Sequence, residues 1–202
     1  MAVDEWLLET ASRPLLRVYR WEQGWGSLGY FGRLAVAATD FPELKWVRRW
    51  TGGGTVDHRA DWTYTLIVPA GESLSQTRGA ESYRLIHAAL GEVLRSEGRV
   101  VRLSAGDEQT GAASCFENPV CYDLVDASGQ KIAGAGQRRS RLGLLHQGSV
   151  AGICPEIHFR SRAGTLADAL ANETCEVFYD SPQSEIDRRS MRYADAGWTG
   201  RR

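Results

Sequence analysis

Val47-Arg48-Arg49-Trp50-Thr51-Gly52-Gly53-Gly54-Thr55-Val56-Asp57-His58 is the stretch around which the rest of the chain is organised. A strand-like run enters it, and another, Trp62-Thr63-Tyr64-Thr65-Leu66-Ile67-Val68, follows it. Arginine supplies fixed positive charge, and glycine lets backbone N–H groups approach a ligand closely, so the pattern predicts an anion-binding loop framed by strands. A tight turn between strands also needs glycine, and the loop alone leaves both interpretations open. Its spacing matches neither the phosphate loop GxxxxGK[ST] nor the dinucleotide fingerprint GxGxxG.

Length and composition limit the possible classes of function. The chain has 202 residues, enough for one substantial core, and we expect residues 1–202 to form a single domain. Because 24 basic and 25 acidic residues nearly cancel, charge gives no reason to expect a nucleic-acid or membrane partner. The sequence shows no secretory signal and no apolar run of membrane-spanning length, so we expect a cytoplasmic protein with reduced cysteines. The spacing of the cysteines does not match a structural zinc site, and we expect no metal.

Hydrophobic periodicity and turn residues predict a mixture of helices and strands. We expect helices over residues 1–11, 82–97, 166–175 and 184–194. We expect strands over residues 15–21, 27–31, 45–49, 62–68, 100–103, 122–126, 131–134, 142–150 and 177–179, with 15–21 and 27–31 forming one hairpin and 122–126 and 131–134 forming another. This pattern predicts an α+β fold with a mixed, largely antiparallel sheet and flanking helices.

Two side chains stand out as candidates for chemistry. The run from Ser104 to Ser114 is rich in small and polar residues, which predicts a loop that delivers Cys115. Lys131 opens a strand directly after a turn and is followed by small residues at 134–136, an arrangement that would let its ammonium reach an uncluttered cavity. A solvated turn lysine and a small buried cysteine are the alternative interpretations, and as a strand-edge group the lysine would contribute little to the core. Cys121 is expected to be a packing residue.

Six motifs, in order along the chain, resemble those of the biotin/lipoate protein ligase and octanoyltransferase superfamily. They are Met1-Ala2-Val3-Asp4-Glu5, Ser27-Leu28-Gly29-Tyr30-Phe31, the arginine and glycine stretch from Arg48 to His58, Tyr122-Asp123-Leu124-Val125, Lys131-Ile132-Ala133-Gly134-x-x-Gln137-Arg138-Arg139, and Leu145-His146-Gln147-Gly148-Ser149. The resemblance implies the catalytic-domain fold of that superfamily, without the accessory C-terminal domain of many ligases.

Within the superfamily, the stretch Cys115-Phe116-Glu117-Asn118-Pro119 followed by Tyr122-Asp123-Leu124-Val125 is similar to the octanoyltransferases that carry a cysteine before the lysine strand. That similarity implies transfer of an octanoyl group from acyl carrier protein, through a thioester on Cys115, to a lysine of a lipoyl-accepting domain or of a glycine cleavage H-type protein. A thiolate suits this exchange because its leaving-group strength is similar to that of the donor thioester.

The resemblance also implies a set of site residues. Cys115 and Lys131 would be catalytic, with the lysine stabilising negative charge that develops on the acyl carbonyl. The histidines would line the site rather than act as bases. The substrate-binding residues would be Tyr30, Arg48, Arg49, Gly52, Gly53, Gly54, His58, Gly134, Gln137, His146 and Gly148.

Two other functions stay open on the sequence. One is an ATP-dependent lipoate-protein ligase, which would need ATP and Mg, whereas the transferase needs no cofactor. The other is a catalytically idle relative that binds an acyl or biotinyl group. Several aromatic residues are candidates to wall an apolar tunnel for an acyl chain, with ordinary core and interface packing as the alternative, namely Trp21, Trp25, Tyr30, Phe31, Trp46, Trp50 and Trp62.

Overall fold

The computed structural model describes residues 1–106, 119–178 and 180–201. Its helices are α1 (Ala2–Thr10), α2 (Leu34–Asp40), α3 (Ser73–Gln76), α4 (Gly79–Ser96), α5 (Glu156–Leu170), α6 (Gln183–Ala194) and α7 (Ala196–Gly200). Its strands are β1 (Leu15–Tyr19), β2 (Trp25–Leu28), β3 (Lys45–Arg48), β4 (Thr55–Asp57), β5 (Asp61–Pro69), β6 (Arg102–Leu103), β7 (Leu124–Val125), β8 (Lys131–Ser140) and β9 (Gly143–Ala151).

The large sheet has six strands in the order β1-β5-β9-β8-β7-β6, and every neighbouring pair is antiparallel. Because side chains alternate between the faces of a strand, Trp62, Tyr64 and Leu66 of β5 point to one side of the sheet. There they form the main core with Leu90 and Leu94 of α4. Side chains on the opposite face are therefore available to build a second interface.

The small sheet has three strands in the order β3-β2-β4. Strand β2 pairs in parallel with β3 and antiparallel with β4. Parallel neighbours need a crossover connection, and α2 lies in the connection between β2 and β3. The predicted α+β fold with a largely antiparallel sheet is confirmed, and the stretch between Arg48 and Thr55 joins two strands that both pair with β2.

The structure corrects the first predicted hairpin. Strand β1 pairs with β5, with Leu15 opposite Ile67, while β2 belongs to the small sheet. The chain thus passes from one sheet to the other across the glycines near residue 24. Turn residues mark where a strand ends, but they do not specify which strand becomes its partner.

The C-terminal elements also differ from expectation. The helix predicted over 166–175 has the wrong bounds, because α5 begins directly after Pro155 and ends at Leu170. Its core contacts come from Phe159, Ala163, Leu166 and Leu170, which recur at helical spacing, so the sequence does carry a pattern for the first part of α5 that the predicted bounds omit. Val177 and Phe178 do not form the predicted strand, and the third residue of that prediction lies outside the described residues. The helices predicted over 82–97 and 184–194 correspond to α4 and α6.

Two histidines lie fully buried between α4 and the large sheet. His87 donates from Nδ1 to the carbonyl oxygen of Tyr122 at 2.7 Å, and its ring meets that of His146 edge to face at 5.5 Å between centroids. His146 bonds the Tyr64 hydroxyl and the Gln137 amide, each at 3.0 Å. Burial lowers the pKa of His87 to about 4 and holds the pKa of His146 well below its usual value. Both rings are therefore neutral at pH 7.

This burial predicts that the protein loses stability as the pH falls from 6.5 towards 4. In that range the unfolded chain binds a proton at His87 and the folded chain does not. The free energy of unfolding therefore decreases as the pH decreases. Between pH 7 and pH 5, His87 alone is expected to contribute a loss of about 2 kcal/mol, given its folded pKa of about 4 and an unfolded value near 6.5. Urea unfolding at the two pH values measures this difference.

The variant His87→Asn removes the titrating group and is expected to show a smaller loss between the same pH values. His158→Gln is the matched control, since His158 lies on α5 outside the cluster, and its loss should equal that of the wild type. An undiminished loss in His87→Asn would show that another group causes the pH dependence.

Candidate functional site

A cavity lies between the two sheets, on the face of the large sheet opposite the α4 core. Its volume is about 440 Å³ including its open mouth. Residues of both sheets and of the segments beside them line it. The lining residues are Met1, Tyr19, Trp21, Ser27, Arg49, Val56, His58, Thr63, Lys131, Gly134, Ala135, Gly136, Gln147, Gly148 and Ser149.

Lys131 lies at one end of this cavity and is held by a buried ion pair. Its Nζ is 2.7 Å from Oδ2 of Asp123, and the two side chains are 3% and 0% exposed. The lysine is therefore not the strand-edge group of little importance to the core that the sequence suggested. A buried ion pair of this kind fixes its partners, because removing either one leaves an uncompensated charge.

The ammonium fits only because residue 134 has no side chain. A Cβ atom on Gly134 would come within 2.3 Å of Cε and 2.5 Å of Nζ of Lys131. From the other side, the Tyr83 hydroxyl of α4 donates to Oδ1 of Asp123 and accepts from the backbone N–H of Ala135 at 2.9 Å. The lysine, the carboxylate and the strand backbone thus form one connected unit.

The carboxylate and the backbone of Asp123 organise the chain on the two sides of residues 107–118. Oδ2 of Asp123 accepts from the backbone N–H of Val120 at 2.8 Å. The carbonyl of Asp123 accepts from Ser104 N at 2.7 Å, and Tyr122 N donates back to Ser104 O at 2.9 Å. The predicted nucleophile Cys115 itself lies outside the described residues. Cys121, which the sequence predicted to be a packing residue, is exposed, so that prediction is wrong.

Four residues form a hydrogen-bonded chain at the wall of the small sheet. Arg49 donates from one guanidinium nitrogen to Ser27 Oγ at 2.6 Å, and from the other to the carbonyls of Gly52 and Gly54 at 3.2 and 2.9 Å. Ser27 Oγ is 2.6 Å from Nε2 of His58, whose Nδ1 is 2.7 Å from Oδ2 of Asp61. Burial lowers the pKa of His58 more than the neighbouring Asp61 raises it.

Arg48 occupies a different environment from Arg49. It is fully buried, and its guanidinium donates to six backbone carbonyls, those of Gly29, Tyr30, Gly32, Trp198, Thr199 and Arg201. It therefore joins the start of the α2 region to α7. The anion-binding role predicted for Arg48 stays a prediction that these contacts do not favour.

The other predicted residues divide between the cavity and its surroundings. Arg49, His58, Lys131, Gly134 and Gly148 line the cavity. Gln137 and His146 bond each other on the α4 side of the sheet. Tyr30 stacks near Trp198 and Arg201. The loop of Gly52, Gly53 and Gly54 supplies carbonyls to Arg49 and packs against Gly136.

Of the aromatic residues predicted to wall an acyl tunnel, Trp21 lines the cavity and stacks on His58 at 4.0 Å. Trp62 lies in the α4 core instead, and Phe31 is 86% exposed. Tyr19 and Val56, which the sequence did not single out, complete the apolar wall.

Asp123, Tyr83, Ser27 and Asp61 are further site residues that sequence reasoning did not single out. The sequence does mark out Asp123, because it is a charged residue directly before the apolar pair Leu124 and Val125, in a hairpin whose second strand begins at Lys131. Ser27 and Asp61 gave no such signal, because their relation to His58 depends on how β2, β4 and β5 are arranged in space.

Known proteins resemble this chain in sequence and in fold. Residues 1–181 match the family described as Lipoyl protein ligase A/B catalytic domain. Octanoyltransferase LipM of Kyrpidia tusciae is 36% identical over 168 residues, and that of Staphylococcus aureus is 34% identical over 167 residues. Each match covers 74% of this chain and 60% of the relative, so the chain spans less than two thirds of the length of these relatives.

Solved structures share the fold at low sequence identity. The putative lipoate protein ligase Ta0514 of T. acidophilum, with bound lipoic acid, superposes with a TM-score of 0.75 at 17% identity and covers 98% of this chain and 91% of its own. Lipoate-protein ligase A bound with ATP gives a TM-score of 0.74 at 17% identity, with 98% and 92% covered. The resemblance drawn from the six sequence motifs is confirmed, and the chain belongs to the lipoyl protein ligase A/B catalytic domain family.

Proposed function

We propose that this protein is an octanoyltransferase of protein lipoylation that carries the octanoyl group on Cys115. The curated relatives with this name support the proposal, as does the cysteine motif before Tyr122. The observation that carries it is the buried Lys131–Asp123 pair at the cavity end, where the same carboxylate bonds the backbone of Val120 beside the cysteine-bearing segment.

In the first half-reaction, the Cys115 thiolate attacks the carbonyl carbon of an octanoyl thioester on acyl carrier protein. The carbon–sulfur bond to Cys115 forms, the bond to the carrier thiol breaks, and that thiol leaves with a proton. In the second half-reaction, the neutral amine of a lysine on a lipoyl-accepting domain attacks the Cys115 thioester. An amide forms, the Cys115 thiolate is released, and the amine gives up one proton to solvent, which balances the proton taken up by the carrier thiol. The Lys131 ammonium stabilises the oxyanion that develops on the carbonyl in both steps.

The cavity offers a path for the acyl chain across the large sheet. Gly134 pairs with Ser149, Ser149 with Thr63 and Thr63 with Tyr19, so these four residues form one row from β8 to β1. Three strand spacings give this row a length of about 14 Å, which is longer than an extended eight-carbon chain. Burial of the chain against Trp21, Tyr19 and Val56 would contribute several kcal/mol, at about 0.8 kcal/mol for each CH₂ group.

The first test is whether Cys115 becomes acylated without ATP. Incubation with octanoyl-acyl carrier protein is expected to add one octanoyl group that hydroxylamine removes, because a thioester is cleaved by that nucleophile. Intact mass spectrometry detects the adduct, and Cys115→Ala should abolish it. Cys121→Ala is the matched control and should keep the adduct.

Mapping of the adduct to Cys121 or Cys154 would exclude the proposed intermediate. Acceptor modification that requires ATP and free octanoate, with release of pyrophosphate, would indicate the ligase reaction instead.

Lys131→Ala is expected to reduce single-turnover transfer to a lipoyl domain by about 10² to 10³, the usual loss for one oxyanion donor. Lys131→Arg should not restore the rate, because its planar fork does not fit a space shaped for a compact ammonium. Both variants leave the buried Asp123 without its lysine, so melting temperatures must be measured alongside. Wild-type transfer rates in Lys131→Ala would remove this lysine from the mechanism.

The variant Gly134→Ala keeps Lys131 but changes the position of its ammonium. The added methyl group would overlap Cε and Nζ of Lys131 and lie 2.9 Å from Oδ1 of Asp123, so the ammonium must move. We expect transfer to fall at least tenfold, since small misplacements of a catalytic group cost large factors in rate. Because the displaced ammonium still lies near Asp123, the melting temperature should fall less than in Lys131→Ala. Gly164→Ala is the control, because a Cβ at that position on α5 meets no neighbour within 4 Å. Equal transfer rates in the two variants would contradict the assigned lysine position.

A further inference from the structure

The chain of Asp61, His58, Ser27 and Arg49 has one consistent arrangement of protons. A carboxylate only accepts, so His58 Nδ1 must donate to Asp61. Neutral His58 then has a lone pair on Nε2, which accepts the proton of the Ser27 hydroxyl. The Ser27 oxygen in turn accepts from Arg49, whose guanidinium only donates. Each hydrogen bond therefore depends on the one before it.

Protonation of His58 would break this order. Nε2 would become a donor towards Ser27 Oγ, which already accepts from Nη1 of Arg49 at 2.6 Å. The Ser27 hydroxyl would lose its acceptor, and two cationic groups would converge on one oxygen. Arg49 also holds the carbonyls of Gly52 and Gly54, so a disturbance at His58 reaches the glycine loop.

The same four residues invite comparison with a Ser-His-Asp nucleophile, and the geometry excludes it. Ser27 is 0% exposed, and its Oγ lies between Arg49 and His58. A nucleophile must be free to attack the substrate carbonyl, whereas the Oγ of Ser27 accepts from the Arg49 guanidinium, which holds its lone pair. Arg49 and His58 also line the cavity and are 5% and 8% exposed.

We propose that Asp61, His58 and Ser27 are positioning residues that fix the Arg49 guanidinium and the Gly52–Gly54 loop at the cavity, and that they do so only while His58 is neutral. The charged groups that act on His58 are Asp61, Arg49 and Asp57, and Trp21 stacks on its ring. The lowered pKa of His58 agrees with a neutral ring at pH 7. The effect of these residues on the transfer rate rests on the proposed octanoyl transfer. The protonation state of His58 can be measured without it.

A fluorescence titration tests the chain without any reaction. Trp21 lies 4.0 Å from His58, and a protonated imidazole quenches a stacked indole. The difference in emission between the wild type and Trp21→Phe is expected to fall with a midpoint below pH 6.5. Asp61→Asn should lower that midpoint, because it removes the carboxylate that favours the charged ring. Survival of the same transition in His58→Gln would overturn the assignment.

A kinetic arm tests the positioning role. Ser27→Ala and Asp61→Asn are expected to raise the KM for octanoyl-acyl carrier protein about tenfold, since each removes a hydrogen bond that involves a charged group or depends on one. The wild type should lose activity as His58 is protonated, and His58→Gln should lose that acid limb of the pH profile. His158→Gln is the control and should keep the wild-type KM and profile.

Wild-type KM and pH profile in Ser27→Ala, the variant least able to disturb folding, would overturn the positioning role. If the wild type transfers no octanoyl group at all, the proposed function fails, while the fluorescence titration still decides the state of His58. The two failures are therefore distinguishable.

Discussion

The site depends on one carboxylate, that of Asp123, and on the ion pair and hydrogen bonds that it makes. It pairs with Lys131, accepts from Tyr83 of α4 and bonds the backbone of Val120, so it joins the lysine strand, the core helix and the approach to the cysteine-bearing segment. A fully buried carboxylate is stable only with such partners, because an isolated charge in a protein interior costs several kcal/mol. The Lys131 ammonium is buried as well, so it equally needs the Asp123 carboxylate. The position of Lys131, the catalytic candidate, is thus set by its pairing with Asp123.

Close approach of backbones determines how the two sheets enclose the cavity. A Cβ on Gly136 would lie 2.3 Å from the carbonyl oxygen of Gly52, and one on Gly29 would lie 1.9 Å from that of Gly53. A side chain at Gly136 would push the glycine loop off the large sheet, and one at Gly29 would push it away from the end of β2. The glycines of the loop are therefore needed for packing, whether or not they also approach a ligand. This supports the tight-turn interpretation of the loop and leaves the anion-binding interpretation open. Arg48 joins the segment after β2 to α7, since its guanidinium donates to the carbonyls of Gly29 and Thr199.

The sequence predicted those features whose information is local. The periodic helix α4, the β7–β8 hairpin and the position of Lys131 after a turn all follow from spacing within a few residues. Partners that are distant in the chain were missed, because β1 pairs with β5 rather than with its neighbour, and Ser27 meets His58 only once β2 and β4 lie side by side. The two arginines at 48 and 49 show the limit most clearly. Adjacent and chemically identical, they point to opposite sides of a strand, and no local pattern distinguishes the one that binds carbonyls of α7 from the one that lines the cavity.

Charge balance at the cavity bears on the kind of acyl donor it suits. Lys131 faces Asp123, and Arg49 is held by Ser27 and loop carbonyls beside the His58–Asp61 pair, so the cations of the cavity wall already have anionic or dipolar partners. Fixed donors of this kind stabilise charge that develops during a reaction, because they need no reorganisation when it appears. A neutral thioester enters such a site without disturbing the balance and acquires oxyanion charge only in the transition state. A free carboxylate would already carry its full charge in the ground state. The same donors would then bind the substrate and the transition state equally well, and such uniform binding does not raise the rate.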